Sequence, residues 1–149
     1  MDDWLTKSAA AMARAIADGD LSSRDLVSAH LDHIATINPT LNAIVQLRAE
    51  DALSEADAAD AAAARARRDG EPLPKLHGVP FTVKDAIATA GVVTTGGIPS
   101  REGLIPRQDA TVVSRLTGAG AILLGKTNCP AFCAGAETVK DIYGRTSNP

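Results

Sequence analysis

The sequence is poor in cysteine and aromatic residues, and it has no long apolar run. Its two cysteines, Cys129 and Cys133, have no second pair with which to complete a zinc site or a disulfide framework, so we expect two free thiols near a pocket wall. No apolar stretch approaches the ~20 residues that cross a bilayer, and the N-terminal MDDWLTKSAAAM has no apolar signal-peptide core. We expect a cytoplasmic protein without a membrane span.

Clustered positive charge is also missing. Fifteen Lys and Arg residues stand against 18 Asp and Glu residues, for a formal net charge of −3, which gives no general attraction to nucleic acid or to an anionic membrane. His30 and His33 could share a helix face, but the sequence supplies no obvious third ligand for a metal. With 45% apolar residues in 149, the chain is long enough for one soluble domain with a real core. Its partners are expected to be small molecules, and we expect no metal.

The first half of the chain, residues 1–70, is predicted to be mainly helical. Alanine-rich residues from Ser8 to Asp18 favour a helix that Gly19 ends in a left-handed conformation. Ser22 begins a second helix with an apparent capping box, and Pro39 is expected to end it. A short strand over residues 43–47 and a third helix over residues 49–70 complete this half.

The second half, residues 71–149, has glycine and proline between short β-branched runs. VPFTV before Lys84 and GVVTT at residues 91–95 predict strands. DATVVSRLTGAG predicts a helix with Asp109 as its N-cap, and AILLG predicts a buried strand directly after it. The core-facing side chains of this helix are expected to be Val112, Val113 and Leu116. Four or five strands alternating with helices predict an α/β fold.

The run GAILLGKT at residues 120–127 matches the phosphate-binding pattern G-x-x-x-x-G-K-T. That loop requires a strand before its first glycine and a helix that begins at its lysine. Here the four variable positions are themselves the predicted strand, and Pro130 limits any helix that follows. We therefore expect Lys126 to lie at the mouth of a strand and to bind loop carbonyls, with nucleotide binding as the alternative.

A second lysine, Lys84, closes the apolar run in LHGVPFTVKD beside Asp85. We expect the strand to bury Lys84, so that desolvation favours its neutral amine, which can act as a base. The alternative is a structural role, because a lysine paired with a carboxylate at a strand end is common.

Three segments, LHGVPFTVKD, DATVVSRLTGAGAILLGKTN and YGRTSNP, resemble in order and spacing the amidase signature family of serine hydrolases. The resemblance implies an α/β/α layered fold with a mixed central sheet, and it places Lys84 at the family's catalytic lysine and Asp85 at the acid that follows it. Family members use a Ser–cis-Ser–Lys triad without a cofactor, in which the lysine acts through a serine on a cis peptide to activate the nucleophilic serine. It also suggests a substrate-binding pocket wall over residues 128–135, formed by Asn128, Cys129, Phe132, Cys133, Ala134 and Gly135.

The sequence departs from the family because both triad serines belong to a glycine- and serine-rich stretch expected just after Pro149. We therefore interpret residues 1–149 as the N-terminal part of a single amidase domain, inactive alone. A second copy of the chain or a partner chain is the candidate source of the rest of the fold. Two smaller departures are Ala131, where the family commonly has an acidic residue, and the pair Cys129 and Cys133. They leave the substrate preference open but not the reaction class.

Besides nucleotide binding at Lys126, three functions remain open at this point. The first is hydrolysis of a small-molecule amide by acyl transfer. The second is the glutamine-hydrolysing subunit of a tRNA-dependent amidotransferase, which shares these motifs. The third is a non-catalytic helical interaction module, which the alanine-rich helices permit but which does not explain LHGVPFTVKD.

Overall fold

The computed structural model describes residues 2–135, 137–138 and 142–148. The helices and strands follow one another as α1 (Ala9–Asp18), α2 (Ser23–Leu41), β1 (Ile44–Leu47), α3 (Ala49–Asp69), β2 (Pro80–Lys84), α4 (Thr111–Gly118) and β3 (Ile122–Thr127). The chain divides into two compact units whose segments alternate along the sequence. The first unit comprises Met1–His33, Arg48–Phe81 and Arg115–Leu124, and the second comprises Ile34–Leu47, Thr82–Ser114 and Gly125–Pro149.

Helix α1 begins and ends where its sequence predicts. The Ser8 hydroxyl accepts from the amide of Ala11 at 3.2 Å, and Gly19 ends the helix with φ of 87°. The buried face of α1 contributes to the core of the first unit, which also takes side chains from the start of α2 and from the residue before β2. This core consists of Met12, Ala15, Ile16, Leu21, Leu26 and Val79.

Helix α2 begins as expected but ends later than expected. The Ser22 hydroxyl accepts from the amide of Asp25 at 2.9 Å, as an N-cap should. The prediction that Pro39 ends the helix is wrong, because α2 continues to Leu41. Pro39 lies in the last turn, where its missing N–H removes a single helical bond, and Asn42 then leaves the helix at φ of 52°.

Helix α3 contacts α1 and buries a set of alanine side chains. Four alanines at helical spacing are buried, namely Ala52, Ala56, Ala63 and Ala66. The Arg67 guanidinium donates to the carbonyl of Ile16, in α1, at 3.0 Å. Gly70, at φ of 71°, ends the helix at the predicted position.

The sheet is mixed, with strand order β1–β3–β2. β1 runs antiparallel to β3, pairing Leu47 with Gly125, where an added Cβ would lie 2.0 Å from the Gln46 carbonyl oxygen. β2 runs parallel to β3, because Ile122 N donates to Val79 O at one end and Asp85 N donates to Thr127 O at the other. The predicted α/β class with a mixed sheet is confirmed.

Three predictions about the second half need correction. GVVTT is a loop and not a strand, so the described residues form three strands and not four or five. Val112 is 48% exposed, whereas Val113 is buried as predicted, because an eight-residue helix buries a narrow stripe. Asp109, predicted as the N-cap of α4, lies one residue before the N-cap position, because the helix begins at Thr111. Its carboxylate accepts instead from the amide of Ala90, in the neighbouring loop, at 2.7 Å. No helix in the described part of the chain is long and apolar enough to cross a membrane.

Candidate active site

The candidate catalytic lysine, Lys84, is the last residue of β2, and its side chain is exposed. The expectation that β2 buries Lys84 is wrong in the described part of the chain. Successive side chains of a strand point to opposite sides, so the buried Val83 and Asp85 leave Lys84 directed the other way. The amine of Lys84 is therefore accessible at the end of β2, while the side chains on either side of it in the sequence are buried.

Asp85, predicted to support the lysine, is completely buried. Its carboxylate accepts from the backbone amide of Thr95 at 3.1 Å and from the Thr95 hydroxyl at 2.5 Å. The same hydroxyl accepts from the amide of Gly97 at 3.0 Å. A buried carboxylate requires such donors, so Asp85 fixes the far end of the loop that follows Lys84.

Lys126 is the buried lysine of this site, with 0% of its surface exposed. Its ammonium donates to the carbonyl of Ile87 and, at 3.0 Å each, to the hydroxyls of Thr89 and Thr94. Burial lowers the pKa of Lys126 from its ordinary value, and the nearby negative charge of Asp85 opposes that change. The expectation that Lys126 lies at the end of a strand and binds a loop carbonyl is confirmed.

The geometry around Lys126 does not fit a phosphate-binding loop. The residues between the two glycines of GAILLGKT, Ala121 to Leu124, belong almost entirely to β3, and Lys126 itself lies within that strand. No α-helix begins at Lys126 in the described residues, and its three N–H groups already meet protein oxygens.

The candidate pocket wall begins at Asn128 and Cys129. The Asn128 side chain donates to the hydroxyl of Thr146 at 3.0 Å and accepts from the Cys129 amide at 3.0 Å. Cys129 is buried, and desolvation raises the pKa of its thiol, with the charge of Asp85 adding to the effect. The positive charge of Lys84 acts on the pKa of this thiol in the opposite direction.

The rest of the wall lies against a buried glycine turn. Phe132 donates its backbone N–H to Gly96 O at 3.1 Å, and a Cβ added to Gly97 would lie 2.9 Å from Cys129 O. Phe132 and Cys133 both have positive φ, 54° and 58°, which is uncommon outside glycine. Phe132, Cys133, Ala134 and Gly135 are all exposed. The structure thus places Cys129 and Phe132, among the predicted wall residues, beside the glycine turn.

Sequence patterns gave no sign of how the YGRTSNP segment is held. Asn42, at the end of α2, donates from its amide to the carbonyls of Tyr143 at 2.5 Å and Arg145 at 3.1 Å, and its own carbonyl accepts from the Thr146 hydroxyl at 2.7 Å. These bonds join residues about 100 positions apart. A cavity of about 370 Å³ lies beside the segment and is lined by Glu137, Thr138, Arg145, Thr146, Ser147 and Asn148.

Comparison with known proteins identifies the family. A family model described as Amidase matches residues 25–149. The chain belongs to the amidase family. The amidase signature resemblance carried by the three sequence segments is therefore confirmed, and the relatives that follow are members or structural neighbours of the same family.

Three relatives illustrate the similarity of this amidase chain. The A subunit of the glutamyl-tRNA(Gln) amidotransferase of Acidothermus cellulolyticus is 40% identical over all 149 residues, which match 29% of that protein. Fatty acid amide hydrolase has a TM-score of 0.89 at 25% identity, covering 99% of this chain and 25% of that one. The peptide amidase from Stenotrophomonas maltophilia has a TM-score of 0.81 at 35% identity, covering 97% of this chain and 30% of that one. This amidase chain spans less than a third of each.

Proposed function

We propose that these 149 residues form the N-terminal part of an amide-bond hydrolase that acts by acyl transfer, with Lys84 as its general base. One observation carries the proposal: in a chain of the amidase family, the exposed amine of Lys84 ends a strand whose next residue, Asp85, is buried and hydrogen-bonded. A catalytic base must be held in position while its reactive atom remains accessible, and this arrangement provides both.

In the proposed reaction, neutral Lys84 accepts a proton through a bridging serine from a nucleophilic serine. The nucleophile's Oγ attacks the amide carbonyl carbon, the C–N bond breaks, and the leaving nitrogen takes up the proton. Water then hydrolyses the acyl ester and regenerates the serine. Both serines would come from the part of the family's sequence that follows the region matched by residues 1–149, as would the donors that stabilise the oxyanion.

A base must be neutral, and an amine in water is mostly protonated. Removing water from around a lysine favours the neutral form. We therefore propose that the remainder of the enzyme covers Lys84 and that the segment Asn128–Gly135 forms a wall beside the bound amide. Such a substrate would be a small molecule, and the chemistry requires no cofactor.

The second candidate is a glutamine-hydrolysing subunit of a tRNA-dependent amidotransferase. It is favoured by the 40% identity, over all 149 residues, with a protein named as an A subunit of that enzyme. In that case the amide would be the side chain of glutamine, and a partner chain would receive the released ammonia. Purified protein that hydrolyses glutamine only after addition of its partner would favour this candidate over a free amidase.

Trapping of the acyl intermediate tests acyl transfer directly. The complete enzyme, meaning the polypeptide that contains residues 1–149 and the proposed serine segment, is incubated with a panel of primary and secondary amides, including glutamine, in the presence of hydroxylamine. We expect the acyl hydroxamate to form at the expense of the carboxylic acid. Lys84→Met should abolish both products, whereas Lys75→Met, at an exposed lysine of the first unit, should abolish neither. Amide hydrolysis that produces no hydroxamate would contradict an acyl-enzyme.

A further inference from the structure

Lys126 makes contacts that suit a lysine in one protonation state only. An ammonium has three N–H donors, and here three oxygens accept from it, on Ile87, Thr89 and Thr94. The two hydroxyls donate their own protons elsewhere, Thr89 to Ile87 O and Thr94 to Val92 O, each at 3.1 Å. Each hydroxyl therefore offers only a lone pair to Nζ, and a neutral amine would lose one of the three bonds.

All three acceptors belong to one segment, residues 87–97, which we term the 87–97 loop. It begins three residues after Lys84 and ends at the Gly96–Gly97 turn against which the candidate pocket wall lies. Lys126 binds this loop at its start and again at Thr94, and Asp85 binds the next residue, Thr95. A buried cation and a buried anion thus hold adjacent residues, Thr94 and Thr95, of an irregular segment. Backbone bonds also hold this segment, among them one from Thr94 N to Leu104 O at 2.8 Å.

We infer that Lys126 is a positioning residue, which acts through the 87–97 loop to hold Lys84 and the Gly96–Gly97 turn in their working geometry. The inference rests on the proposed role of Lys84. Lys126 itself has no access to a substrate, because it is completely buried and its donors are all occupied. Its influence on the reaction must pass through the loop that it binds.

A role in stability alone would predict something different. If Lys126 served only to satisfy buried oxygens, its loss would reduce the fraction of folded protein but leave each folded molecule fully active. If it positions the loop, correctly folded molecules should turn over more slowly, because misplacement of reacting groups by about 1 Å can reduce rates about 100-fold. The activity of each functional site therefore distinguishes the two roles.

The test is made in the complete enzyme with Lys126→Met, which keeps an unbranched side chain but removes the three donors. Functional sites are counted in one portion of the enzyme by covalent labelling with a fluorophosphonate. Turnover of an amide substrate is measured in an unlabelled portion and divided by that count, which gives kcat for each functional site. We expect kcat to fall by about 10- to 100-fold with little change in KM. Lys75→Met is the matched control and should behave as wild type. A wild-type kcat for each labelled site of Lys126→Met would overturn the inference.

A second variant keeps the test decisive if Lys126→Met does not fold. Thr94→Val preserves shape but removes both the acceptor for Lys126 and the donor to Val92 O, so it should lower kcat in the same sense by a smaller factor. Where both variants fold, the double variant should lose less activity than the two single losses combined, since both changes break the contact between Lys126 and Thr94. Additive losses would overturn the inference, as would an unchanged kcat in Thr94→Val.

The reactivity of Lys84 separates this inference from the proposed function. Amine acylation of Lys84 and Lys75 is followed by peptide mass spectrometry in wild type and in the folded Lys126 or Thr94 variant. We expect the ratio of the two labelling rates to change, and an unchanged ratio would contradict positioning. If Lys84→Met retains amide hydrolysis, the proposed function is wrong, whereas this ratio still reports whether Lys126 controls the environment of Lys84.

Discussion

Replacing Thr95 by valine should remove the anchor of the loop that follows Lys84. Valine keeps the shape of threonine, but the buried Asp85 carboxylate loses the hydroxyl donor at 2.5 Å and the Gly97 amide loses its acceptor at 3.0 Å. A hydrogen bond to a charged group contributes about 1.5–3 kcal/mol, and a buried donor left without a partner costs about 1–3 kcal/mol. The Thr95 amide still donates to the carboxylate, and relaxation recovers part of the loss, so we expect the free energy of unfolding to fall by about 2–4 kcal/mol.

Urea unfolding of the complete enzyme, followed by circular dichroism, measures this loss. Thr95→Ser retains the hydroxyl and removes one methyl group, so it should lower the stability by only about 1 kcal/mol. Thr82→Val, at an exposed threonine of β2, is the matched control and should change little. A loss of less than about 0.5 kcal/mol for Thr95→Val would refute the reasoning that Asp85 depends on this hydroxyl.

Three further predictions concern the same part of the molecule. Gly97→Ala should destabilise the enzyme by at least about 1–2 kcal/mol in urea unfolding, since φ of 69° disfavours any other residue and the new methyl would meet Cys129 O at 2.9 Å. Gly91→Ala is the control, because φ is 73° there but nothing lies within 4 Å of the new methyl, and it should lower the free energy of unfolding by less. The pKa of Lys126 is lowered by burial, so the unfolded chain holds this proton more tightly, and stability from this group should rise as pH increases from the lowered pKa towards 10.5. The free energy of unfolding of wild type, relative to that of Lys126→Met, should therefore grow from pH 7 to pH 10. The groups whose charges act on Lys126, namely Asp85, Asp109 and Cys129, are present in both proteins. A constant difference would contradict a lowered pKa of Lys126. A polypeptide of residues 1–149 alone should show no amide or ester hydrolysis, and turnover that survives purification and Lys84→Ala would argue against the proposed division of the triad.

Local chemistry accounts for the parts of the fold that the sequence predicts well. The caps at Ser8 and Ser22 and the glycine ends at Gly19 and Gly70 depend on residues within one helical turn, which a sequence displays directly. The continuous apolar run of β3 likewise predicts a buried strand. Pro39 was misleading because the effect of proline depends on how much helix follows it.

The burial of the two lysines could not be predicted in the same way. Lys84 follows an apolar run, which suggested burial, but strand alternation directs its side chain outward. Lys126 is buried because oxygens 32 to 39 residues earlier in the chain converge on it. The bonds from Asn42 to the segment after Tyr143 span about 100 residues. Such pairings depend on tertiary structure, and no periodicity or short motif in one sequence reveals them.

The most direct test of the account is the turnover number of Lys84→Met in the complete enzyme, measured with an amide substrate at neutral pH and with folding checked by circular dichroism. General-base catalysis contributes about 10²- to 10⁴-fold, so we expect kcat to fall by at least about 100-fold while Lys75→Met remains at the wild-type value. A folded Lys84→Met enzyme with near-wild-type kcat would contradict the central claim that Lys84 is the base.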